Sequence, residues 1–118
     1  YTKVKYEQDA DIKSYVVDNK KIELVTLSNP IIIKIIDIGI GGIFFASNEF
    51  IGIGQVFNLD LMDSDTMVSI AVRIIRTQKV KGFKMGYGCQ FINLNKSQEL
   101  FITSMVFKLQ SKVKSTLK

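Results

Sequence analysis

The chain contains no histidine, one cysteine and one proline in 118 residues. Without histidine it lacks the usual general base and the commonest metal ligand. The lone cysteine, Cys89, excludes an internal disulfide, and with no histidine partner it makes a poor nucleophile or metal site. Its apolar surroundings in sequence mark it as a buried structural thiol. One cysteine also suits a reducing compartment, so the cytoplasm is the expected location. Long apolar runs are missing as well. Residues 30–33 and 39–46 are interrupted by Lys34 and Asp37 and fall far below the roughly 20 residues a membrane-spanning helix needs. No basic segment leads into an apolar stretch and a cleavage site, so no secretory signal is read. Arginine is scarce: Arg73 and Arg76 are the arginines among 16 basic residues.

What is present is ordinary for one globular domain with one core: 47% hydrophobic and 23% charged residues. The net charge of +5 is a mild positive field, suited to anionic partners such as nucleotides, nucleic acid or acidic protein surfaces.

Turn signals divide the first four fifths of the chain into strands. Residues 6–17 alternate loosely and stop at Asp18-Asn19. Residues 21–27 alternate again until Ser28-Asn29-Pro30, where the missing N–H of proline predicts a break. The β-branched run 31–36 is a poor helix and a good buried strand. After a break over 37–42 comes a short strand, 43–46. Residues 55–62 follow, with Val56, Leu59 and Leu61 as apolar positions, and end at the solvated tip Asp63-Ser64-Asp65, which has too few oxygen ligands for a calcium loop.

Residues 67–77 place Val68, Ile70, Val72 and Ile74 on the core side. By the same period of two, Arg73 and Arg76 are predicted on opposite faces and unable to form one clamp. Lys81-Gly82 reads as a hairpin loop, and 84–92 returns with Met85, Tyr87, Cys89 and Phe91 on one face. Short strands with no helices between them indicate an antiparallel barrel or sandwich. The ending is helical. Asn95 and Gln98 form a capping box, Leu100, Phe101, Met105, Leu109 and Val113 recur at helical spacing, and Lys108, Lys112 and Lys114 suit the last turns. The expected organisation is a single domain over 1–118: an N-terminal segment 1–5, a β-barrel 6–92 and a helix 95–114.

The glycines carry the remaining information. Gly39, Gly41 and Gly42 are followed by Ile43-Phe44-Phe45, a strand, which excludes both a P-loop and a dinucleotide fingerprint. What remains is a tight turn between apolar strands, of the kind in which glycine supplies positive φ. No enzyme active site and no metal site is legible.

The stretch Asp37-Ile38-Gly39-Ile40-Gly41-Gly42 resembles the D/N-x-S-x-x-G motif of the PilZ family of cyclic di-GMP receptors. Asp37 and Gly42 are in place, and Gly39 stands where the motif has serine. The resemblance continues through 54–61, 68–76, Tyr87-Gly88-Cys89-Gln90-Phe91 and the helix from Asn95. It implies a mainly β fold, a small antiparallel PilZ-type β-barrel with a C-terminal α-helix. It further implies a non-enzymatic regulatory domain with no cofactor, with cyclic di-GMP as ligand and a protein partner in a motility, exopolysaccharide or pilus system. Asp37, Gly39 and Gly42 would line the turn, with Lys5 and Lys3 reaching over the ligand.

The R-x-x-x-R motif of such receptors falls on Tyr1 and Lys5, neither an arginine. Lysine offers a point charge in place of a planar fork, and tyrosine offers no charge. Two lost contacts at roughly 1.5–3 kcal/mol each lower affinity by about a hundredfold to ten-thousandfold. Binding is therefore expected to be weak if it occurs. The alternative expectation is a protein-interaction adaptor using exposed Phe44, Phe45, Phe50 and Phe107. A small β-barrel nucleic-acid-binding module is a third.

Overall fold

The structure is a computed structural model that describes residues 4–16 and 24–116, with side-chain environments described for Gln8 and for 31–111. Among these residues the strands are β1 (Val4–Val16), β2 (Leu24–Ile38), β3 (Gly42–Ser47), β4 (Val56–Asp63), β5 (Thr66–Gln78) and β6 (Met85–Phe91), followed by α1 (Lys96–Thr116). The strands close an antiparallel barrel in the order β1-β2-β3-β6-β5-β4. Closure removes the free sheet edges that would otherwise invite pairing with other chains. At the β1–β4 seam the ladder among the described residues is short, Tyr15 opposite Phe57 and Val16 opposite Val56. Further along, the Gln8 amide bridges the gap: its Nε2 donates to the Asp60 carbonyl (3.0 Å) and its Oε1 accepts from the Met62 N–H (3.2 Å).

The inward faces follow from alternation. Leu59 pairs with Ile70 and Phe57 with Val72 across β4 and β5, and all four are buried. Met85, Tyr87, Cys89 and Phe91 face the same core from β6. Phe45 packs edge-on against Phe57 (ring centroids 5.8 Å apart) and tilts against Tyr87 (5.3 Å). Ile102, Met105 and Val106 of α1 complete this cluster.

Three expectations are corrected. Pro30 does not end a strand: β2 runs through it. Ile12 pairs with Ile31 and Ser14 with Thr26, so five residue steps on β2 oppose two on β1, and the bulge accommodates the proline without breaking the strand. Phe44 and Phe45 are buried, whereas Phe50 and Phe107 are 75% and 70% exposed. On α1, Leu100 is 61% exposed and the inward position falls to Ile102 instead. The turn expected at Asp18-Asn19 lies outside the described residues.

The capping box forms as the sequence reads. The Gln98 N–H donates to Asn95 Oδ1 (2.7 Å) and the Asn95 N–H to Gln98 Oε1 (2.8 Å). Gln98 Nε2 also donates to the Ser69 carbonyl (2.9 Å), which ties the start of α1 to β5. No described helix is long and apolar enough to cross a membrane.

Candidate functional site

The site begins at the β2–β3 turn. Within it the Gly39 N–H donates to the Gly42 carbonyl (2.8 Å), and the Phe91 N–H donates to the Gly41 carbonyl (3.0 Å). The turn is thus stitched to itself and to the end of β6. Gly42 is not held by positive φ, contrary to the hairpin expectation. It pairs with Gln90 on β6, and a Cβ there would run into the Cys89 carbonyl. Glycine is required because backbone passes where a side chain would stand.

Two bulges set the outer face. On β2 the register shifts between Ile35 and Asp37, so Ile35 and Ile38, three apart, are both buried in the core. The extra residue turns Asp37 outward, in register with Phe44. On β5 the register shifts between Ile74 and Arg76. Ile74 stays in the core, while Arg73 opposes Gln90 and Arg76 opposes Gly88. Residues directly opposite in a ladder share a face, as do residues two apart on one strand. The two arginines therefore lie on the same face, which corrects the prediction from strict alternation. Bulges re-aim side chains in this way.

A continuous row follows across five strands. Lys5 opposes Asp37, Asp37 opposes Phe44, Phe44 opposes Gly88, and Gly88 opposes Arg76. The guanidinium of Arg76 sits 5.3 Å from the Phe44 ring centroid, a cation–π distance. Outward-facing glycines on β6 make room for this pair. A Cβ on Gly86 would meet the Phe44 ring, and one on Gly88 would come within 2.7 Å of Arg76 Cγ.

Beside this row lies a cleft of about 250 Å³. Gly39, Gly41 and Gly42 border it on the turn side, Gly88, Cys89 and Gln90 from β6, and Ile75 and Arg76 from β5. Of the residues singled out from sequence, Gly39 and Gly42 line this cleft, and Asp37 stands beside the turn that borders it. Lys5 holds the register position opposite Asp37. Lys3 lies outside the described residues. Sequence reasoning missed Arg76, Gly88 and Gln90. Gly88 and Gln90 belong to the Tyr87-Gly88-Cys89-Gln90-Phe91 stretch that carries the resemblance, but the bulge that sets Arg76 opposite Gly88 leaves no signal in the sequence. Among the described residues, no three His, Cys, Asp or Glu side chains converge as a metal site would.

A family model described as "PilZ domain" matches residues 12–108. Among solved structures, the chain is similar to the PilZ domain with c-di-GMP of YcgR from Escherichia coli, with a TM-score of 0.71 at 14% identity. That alignment covers 99% of this chain and 95% of the other. At such low identity the likeness is one of fold. A search of curated proteins gave no match.

Proposed function

Since the chain belongs to the PilZ domain family, we propose that it is a non-enzymatic regulatory domain that takes cyclic di-GMP weakly in the outer-face cleft beside Asp37. The observation that carries this reading is the cleft itself, with the glycine turn on one side and Arg76 on the other. The ligand would offer phosphodiester oxygens to a guanidinium. A guanine N2–H₂ donor would suit a carboxylate such as Asp37. Gly39 and Gly42 would let the nucleotide approach main chain directly.

Two features support weak rather than tight binding. Neither Tyr1 nor Lys5 supplies an arginine fork. The cleft, at about 250 Å³, is also smaller than the roughly 300–1,000 Å³ of pockets that bury most of a drug-sized ligand. A cyclic dinucleotide would stay largely in solvent. The domain acts in the cytoplasm, and its output is contact with a protein partner in a motility, exopolysaccharide or pilus system. A second reading, a protein-interaction adaptor without nucleotide, is favoured by the exposure of Phe50 and Phe107.

Calorimetric titration with cyclic di-GMP tests the first reading. Saturable heat in the upper micromolar range that is lost in Asp37→Ala is the expected result. No heat at millimolar ligand would remove the nucleotide and leave the adaptor.

A further inference from the structure

The geometry points to Arg76 as the residue that receives a phosphodiester of the ligand, standing in for the arginines missing near the N-terminus. The inference rests on the cyclic di-GMP reading above and adds a residue to it.

Four observations converge on Arg76. The β5 bulge places it on the same face as Asp37, at the opposite end of the row Asp37–Phe44–Gly88–Arg76. Its stem crosses β6 where Gly88 leaves no side chain. Its guanidinium rests over Phe44 at 5.3 Å, and it borders the cleft that the glycine turn also lines. One donor is engaged, with Nη1 donating to Gln78 Oε1 at 2.9 Å. Among the described residues no carboxylate pairs with it.

A guanidinium carries five N–H donors in a planar fork, so donors remain for a phosphodiester. The aromatic ring and the glycine track hold that fork in place beforehand. Less side-chain freedom is then lost when an anion arrives. Arg76 thus satisfies the chemical requirement of the missing motif from a different strand. A lysine at the same place would keep the charge and lose the two-pronged contact.

Calorimetry with cyclic di-GMP on the full chain tests this. Arg76→Met keeps an unbranched stem over Gly88 and Phe44 while removing the charge. Affinity is expected to fall by about 10- to 150-fold, the loss that follows from one charged hydrogen-bonding contact. Arg76→Lys is expected to fall between Arg76→Met and wild type. Lys108→Met, which removes one positive charge outside the cleft, is expected to match wild type. Wild-type affinity in Arg76→Met overturns the assignment while leaving the cyclic di-GMP reading intact. If Arg76→Met does not fold, wild-type affinity in Arg76→Lys overturns the fork in the same way. An equal loss in Lys108→Met also overturns it, since general charge would then be the cause. No heat from wild type overturns both the ligand reading and the assignment.

Discussion

Gly88 and Arg76 share one place on the outer face of the barrel: the space a side chain at 88 would occupy is taken by the stem of Arg76, whose Cγ and Nε lie 2.7 and 2.8 Å from a Cβ built there. Gly88→Ala therefore displaces Arg76 from Phe44 and from the cleft. Overpacking of this kind costs about 1–3 kcal/mol where the neighbour is rigid, and an exposed side chain that can swing aside keeps the cost near the lower limit. The folded state should survive with a small drop in its urea midpoint, while cyclic di-GMP affinity falls as in Arg76→Met. Unchanged affinity in a folded Gly88→Ala protein would show that the position of Arg76 does not matter to the ligand.

Gly42 meets a harder neighbour. The atom in the way is the Cys89 carbonyl, part of the β3–β6 ladder in which Gly42 pairs with Gln90. Backbone cannot rotate aside as a side chain does. Gly42→Ala should cost about 2–4 kcal/mol. The urea midpoint should fall with the slope unchanged. A loss below that of Gly88→Ala would contradict the close approach.

These two glycines mark how far the sequence could be read. Alternation located Ile70, Val72 and Ile74, and likewise Met85, Tyr87, Cys89 and Phe91, because one-sided burial imposes a period of two. The Asn95–Gln98 box was legible because both partners are local. The bulges near Ile36 and Ile75 were not. An extra residue in one strand is defined against the partner strand, so it leaves no mark in its own neighbourhood. Its effect is to reverse parity, which is why Arg73 and Arg76 were assigned to opposite faces. The same non-locality hid the fate of Phe44 and Phe45. Phe45 enters the core, whereas Phe44 faces outward and is buried beneath Arg76, a residue 32 positions along the chain.

The capping box makes a local stability prediction. Asn95→Ala removes the acceptor for the Gln98 N–H and loosens the return bond from the Asn95 N–H. Such substitutions cost about 1 kcal/mol, a fall in melting temperature of about 3–6 °C for a domain of this size. Gln98→Ala should cost at least as much, since it also severs the bond to the Ser69 carbonyl. Thermal melts by circular dichroism compare the two, and a Gln98→Ala loss well below that of Asn95→Ala would deny the Ser69 link a role.

Tyr87 offers the last test, one of local rather than global opening. Its ring is in the core, but its hydroxyl donates to the Glu49 carbonyl (2.7 Å) and accepts from the Ile51 N–H (3.0 Å). One side chain of β6 thus pins the β3–β4 loop, whose Phe50 projects into solvent. Tyr87→Phe keeps the ring and removes both bonds. Where the Glu49 and Ile51 groups stay shielded from water, the cost is about 1–3 kcal/mol; where the loop opens and water replaces the hydroxyl, it is smaller. The loop lies at the surface, so opening is the expected response. Hydrogen exchange should show the Ile51 amide losing protection while amides of β5 such as Ile70 keep theirs. Equal loss at both positions would mean that the hydroxyl supports the whole barrel and not the loop alone.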